Sequence, residues 1–180
     1  MDVQSLNVAV NVEALERTRT GSITGPIWLH LEGRDFPEKD WFDFPVALLN
    51  SWIEEVSALR RGEFQTGTIR FMEGPLTVAV RLLSNATARA SFTRSEQALF
   101  GSNVDVDQFL RSAKTAGRLL AGACMMRGWL DEEVMRLDEA SQDDLPQLGC
   151  RWVFDLAHVH GNSDRDLTHP QLLINIRRRR

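Results

Sequence analysis

Asp43-Phe44-Pro45-Val46-Ala47-Leu48-Leu49-Asn50-Ser51-Trp52-Ile53-Glu54-Glu55-Val56-Ser57-Ala58-Leu59-Arg60-Arg61-Gly62 decides the fold, because it reads as a helix set between two blocks that read as strand. Asp43 suits an N-cap, and Pro45 suits the first turn, where its missing N–H costs nothing. Phe44, Leu48, Leu49, Trp52, Ile53, Val56 and Leu59 recur at helical spacing, with Glu54 and Glu55 on the other face. Gly62 supplies the stop.

Upstream, residues 6–12 alternate: Leu6, Val8, Val10 and Val12 point one way, Asn7, Ala9 and Asn11 the other. That period marks a half-buried strand. After a polar loop from Arg17 to Gly25, a second alternation places Ile27, Leu29 and Leu31 inward and Trp28, His30 and Glu32 outward. The two strands are expected to pair as a hairpin.

Downstream, three strands are expected. In 64–72 the inward parity shifts from Phe64 to Ile69 and Phe71 across Gly67, which predicts a β-bulge. Glu73-Gly74-Pro75 turns the chain into Leu76, Val78, Val80 and Leu82, and Ser84-Asn85 turns it into a weaker strand over 86–94. A second helix is predicted over 106–127, capped by Asp105 and stopped by Gly128. Its buried stripe is Val106, Phe109, Leu110, Ala113, Ala116, Gly117, Leu120 and Cys124. A third, short helix near 131–141 offers Val134 and Leu137 and is expected to end at Pro146. Apolar runs at 150–156 and 171–176 read as two further strands. The order ββαβββαα(ββ) argues for an α+β fold, an antiparallel sheet with two or three helices packed on one face.

The length of 180 residues fits a single domain, 1–180, within the usual range of about 100–200; residues 146–180 are alternatively a C-terminal extension. A chain of this size buries roughly 70% of its unfolded surface without a disulfide or metal staple. Cys124 and Cys150 lie in apolar settings without ligand spacing and read as reduced core residues. Met1-Asp2-Val3-Gln4-Ser5 lacks the basic and then apolar run of a signal peptide. No apolar stretch approaches the ~20 residues of a membrane span. The expectation is a cytoplasmic protein that engages no membrane.

The net charge of −4 is unevenly spread, with the bases concentrated in the closing Arg177-Arg178-Arg179-Arg180. Nucleic-acid binders distribute Lys and Arg across a face, so no nucleic-acid partner is expected; the tail reads as a solvated terminus before it reads as a phosphate contact. Phosphate-loop, dinucleotide, serine-hydrolase, zinc-protease and Cys-x-x-Cys motifs are all missing from the sequence. No catalytic residue, metal ligand or cofactor is therefore assigned, and the chain is expected not to be an enzyme.

Three patterns compete for a role. His158, His160, Asp164, Asp166 and His169 supply imidazoles and carboxylates that suit a divalent metal, which would make a metal-dependent enzyme; a solvated turn is the simpler reading. His30 beside Glu32 could act as a general base, but reads first as a histidine on a sheet's polar face. The acidic stretches are the stronger candidates. Asp35, Glu38 and Asp40 lie among Phe36, Trp41 and Phe42, and Asp131, Glu132, Glu133, Asp138 and Glu139 crowd the third helix. Carboxylates near exposed aromatics suit recognition of a basic protein partner by steering and an anchoring ring. The competing reading is a solvated helix face, with Trp41 and Phe42 packed beneath the first helix.

Trp41-Phe42-Asp43-Phe44-Pro45-Val46-Ala47-Leu48-Leu49-Asn50-Ser51-Trp52, then Phe71-Met72-Glu73-Gly74-Pro75, then Arg127-Gly128-Trp129, carry a resemblance over roughly residues 5–140. Together they resemble a group of bacterial proteins, some of which look like immunity proteins of polymorphic or contact-dependent toxin systems. This sequence departs from that group in having Glu73 where an Asp is associated and Leu76 where an aromatic is. The motifs read as structural, so no functional residue is carried over. What the resemblance implies is a small cytoplasmic antitoxin that neutralises a toxin by binding it. Its acidic surface would plug a basic cleft. A homo-oligomeric structural protein, with 171–176 as an edge strand that adds to a neighbour's sheet, is the remaining alternative, and a homodimer is left open.

Overall fold

Alternating apolar residues need a partner strand, and the first two alternations find each other. The structure is a computed structural model that describes residues 2–142. Strand β1 (Leu6–Val10) is followed by a 3-10 turn over Val12–Ala14, by β2 (Glu16–Arg17) and by the longer β3 (Ile23–Leu31). β1 and β3 are antiparallel, with Leu6 opposite Leu31, Val8 opposite Leu29 and Val10 opposite Ile27. β3 starts before the alternation does, because β2 and two later short strands, β4 (Arg34–Phe36) and β5 (Phe42–Asp43), all pair with it. With neighbours on both edges its first half buries Gly25, Pro26 and Ile27 in succession, so period two disappears there. Gly25 lets the chain pack closely here: a Cβ would lie 2.7 Å from a Leu15 methyl and 3.3 Å from the Leu15 Cα.

Helix α1 (Pro45–Arg60) buries Leu48, Leu49, Trp52, Ile53, Val56 and Leu59 as the spacing predicts. Its end is set by Gly62 at φ +75°. The expected cap is not where the sequence placed it. Phe44 is the N-cap residue and makes no side-chain cap bond; Asp43 sits one position earlier and does other work, described below.

The second sheet is β6 (Thr66–Arg70), β7 (Leu76–Leu82), β8 (Thr87–Arg94) and β9 (Gln97–Asp105), antiparallel in chain order. Two expectations are corrected here. β6 runs in unbroken register against β7, from Thr66 opposite Arg81 to Arg70 opposite Thr77, so Gly67 marks no bulge. Phe64 lies ahead of the strand and is 59% exposed, which is why its parity disagreed with that of Ile69 and Phe71. The irregularity in this sheet falls instead at Phe92/Thr93, opposite β9. β9 itself was not expected: most of its residues before Asn103 are exposed, so no apolar rhythm announces it.

Helix α2 (Val106–Met126) begins as the sequence indicates, with the Asp105 carboxylate accepting from the Gln108 N–H. Helix α3 (Glu132–Ser141) is capped the same way, Asp131 accepting from the Val134 N–H. α3 ends at Ser141, in agreement with the helix expected near 131–141; Pro146 lies outside the described residues. α1 packs on β3, β6 and α2; α2 also packs on β1; α3 buries Val134 and Leu137 against α1 and α2. The two sheets are joined at Gln4, whose N–H donates to the Asn103 carbonyl (2.8 Å) and whose carbonyl accepts from Asp105 (3.2 Å). The class is α+β. Between helices and strands, Phe71 meets Trp52 edge-on at 5.1 Å and Phe36 at 5.7 Å. Each fully buried side chain of this size contributes about 1.5–3 kcal/mol.

Candidate functional site

Asp43 is 1% exposed, and a carboxylate so placed must be supplied with donors. It accepts four hydrogen bonds. One oxygen takes the Phe44 N–H (2.7 Å) at the entrance to α1. The other takes the Met72 and Glu73 N–H groups (3.0 and 3.1 Å) from the β6–β7 turn, together with the Trp41 indole N–H (3.3 Å). Two motif stretches, Trp41–Pro45 and Phe71–Pro75, are thus tied into one structure through a single carboxylate. Gly74, at φ +88°, keeps the turn tight, and the Trp41 ring lies 4.0 Å from where its Cβ would be.

This knot supports a groove of about 540 Å³ lined by Thr24, Glu38, Asp40, Trp41, Phe42, Asp43, Phe44 and Glu73. Among the described residues its lining holds four carboxylates and no cationic side chain. Glu38, Asp40 and Glu73 are exposed, and none has an ion-pair partner among the described residues. Phe42 is 46% exposed, and Met72, on the adjoining turn, 59%. Trp41 is half-buried, so of the two aromatics expected beneath the first helix, Phe42 clearly reaches solvent.

Of the first acidic stretch, Glu38 and Asp40 reach the groove and Asp35 does not. Asp35 lies on β4 opposite His30, and its carboxylate meets His30 Nδ1 at 2.7 Å. His30 Nε2 also accepts from the Gly33 N–H (3.3 Å), so this histidine braces a turn and is not paired with Glu32. Glu73 is the groove residue that sequence reasoning missed. The signal was present in part, since it lies in the second motif stretch, but its proximity to Asp40 depends on the fold.

The acids of α3 are differently placed. Asp131 is spent as the helix cap and lies 3.9 Å from Arg17. Glu133 and Glu139 line a groove of about 670 Å³ between α1 and α3, but Arg61, Lys114 and Arg136 line it too, and its charge is mixed. Glu132 is exposed and Asp138 half-buried. The two acidic stretches therefore form no common surface charge of one sign.

Cys124 is buried, and burial pushes its thiol above the ordinary range despite the opposing charge of Arg127. His158, His160, Asp164, Asp166, His169, Cys150, the strands expected at 150–156 and 171–176 and the four terminal arginines lie outside the described residues. Among the described residues no three His, Cys, Asp or Glu side chains are grouped to hold a metal ion, and no helix is long and apolar enough to cross a membrane. No family model, no curated protein and no solved structure matches the chain.

Proposed function

We propose that this chain is a protein-binding domain, and that it acts as an immunity protein by occluding the basic surface of a cognate toxin. The observation that carries the reading is the groove at Trp41–Phe44 and Glu73. There, carboxylates of one sign surround an exposed ring on a support held by a buried hydrogen-bonded carboxylate. A free chain gains nothing for its own stability from unpaired like charges around an exposed phenyl ring. A cationic protein surface gives both a use, since charge steers the encounter and the ring supplies a desolvated anchor. Glu38 and Asp40 keep their assignment to the interface. The α3 acids carry less weight in this reading, because Glu133 and Glu139 share their groove with Arg61, Lys114 and Arg136.

Affinity-tagged protein expressed in its own host, with copurifying chains identified by mass spectrometry, tests the reading. One stoichiometric partner, encoded by an adjacent gene and toxic when expressed alone, is the expected result. Recovery of the chain alone, with its neighbouring genes expressed, counts against an immunity role.

A further inference from the structure

We propose that the groove over Trp41, Phe42 and Phe44 is a socket for one arginine side chain of the protein partner; this rests on the protein-binding reading above. The occupant follows from charge and shape. Glu38, Asp40 and Glu73 are exposed without ion-pair partners among the described residues, and no cation lines the cavity. An apolar ligand would leave these carboxylates desolvated and unpaired, which is costly. An ammonium would satisfy one of them as a point charge. A guanidinium lies flat on an aromatic face while its edge donates to a carboxylate in the same plane, so it uses the ring and the acids together.

The socket is preformed. Trp41 is tethered through its indole N–H to Asp43, and the backbone that carries Glu73 donates to the same carboxylate. The Trp41 ring and the backbone that carries Glu73 are thereby tied to one carboxylate across about thirty residues of sequence, which limits the entropy lost on binding. The α1–α3 groove is larger but has no such preference, because its three basic and three acidic side chains already offset one another.

The test is an NMR titration of the full chain with three capped tripeptides, Ac-Ala-Arg-Ala-NH2, Ac-Ala-Lys-Ala-NH2 and the uncharged isostere Ac-Ala-citrulline-Ala-NH2. The arginine peptide should shift the Trp41 indole resonance and the amides of residues 38–44 and 72–74. Affinity should fall modestly for lysine and about tenfold or more for citrulline, given the strength of desolvated cation–π and ion-pair contacts. Phe42→Ala and Glu73→Gln alter exposed side chains, so both variants should keep the parent spectrum and lose most of the arginine response. An equal response to citrulline, a response centred on α3, or no response at the peptide's solubility limit would each overturn the socket. None of those results touches the protein-binding reading, which stands or falls on copurification of a partner.

Discussion

Replacing Asp43 by alanine removes the acceptor for four N–H groups at once. A hydrogen bond to a charged group contributes about 1.5–3 kcal/mol, and a donor left buried without a partner costs a similar amount. The four do not simply add. Met72 and Glu73 belong to exposed residues, so water can reclaim their N–H groups once the turn loosens, whereas those of Phe44 and the Trp41 indole are half-buried. The expected loss is therefore about 3–5 kcal/mol, a large part of a typical total of about 5–15 kcal/mol. Asp43→Asn discriminates further. Its amide oxygen can take the place of the oxygen that serves three donors, while its NH2 group then faces the Phe44 N–H. One bond and the charge assistance are lost, for about 1–2 kcal/mol. Urea unfolding reads both variants: at a slope near 2 kcal/mol/M, a 4 kcal/mol loss moves the midpoint by about 2 M. Amide exchange should show Met72 and Glu73 losing protection in Asp43→Ala before global unfolding. If Asp43→Ala stays within about 1 kcal/mol of the parent with those amides still protected, the carboxylate does not hold the motifs together.

A Cβ at Gly117 would lie 2.0 Å from the Ser141 Oγ and 3.2 Å from a Leu137 methyl, so Gly117→Ala should lift α3 off α2 and cost about 1–3 kcal/mol by thermal melting. The Ser141 hydroxyl is buried without a hydrogen-bond partner among the described residues, so Ser141→Ala should be neutral or stabilise by up to about 1 kcal/mol and should soften Gly117→Ala; strict additivity of the two would refute the shared contact. Trp52→Phe keeps a ring but drops the indole donor to the Arg70 carbonyl (2.9 Å), for an expected loss of about 1–2 kcal/mol in the same melt. In a Cys150→Ser background, Cys124 should react with a thiol reagent only as fast as the protein opens. Because burial raises its pKa on folding, its contribution is complete below the ordinary thiol value of about 8.5 and fades as pH rises through the raised one. Cys124→Ala should flatten the stability profile above that pH, and an unchanged slope would contradict the assignment.

Local pattern carried a good deal of this protein. Alternation identified β1, most of β3 and β7, helical spacing identified α1 and α2, and the cap at Asp105 is where local hydrogen bonding puts it. These features depend on neighbours within a few residues, so they are legible without a fold. β9 and the short strands β2, β4 and β5 were not legible, because each is strand only by virtue of its partner and has no buried rhythm of its own. Asp43 shows the same limit in one residue. Read locally it is a helix cap; in the structure most of its hydrogen bonds go elsewhere, two of them to a turn 29 and 30 residues away. The composition determined that acids and aromatics would be available near residues 32–43. Only the tertiary structure decided that Glu38 and Asp40 would line one groove with Phe42 and Glu73 while Asp35 turned to His30, because that choice is set by the register of β3 against its neighbours and by the buried carboxylate that locks the two motifs together.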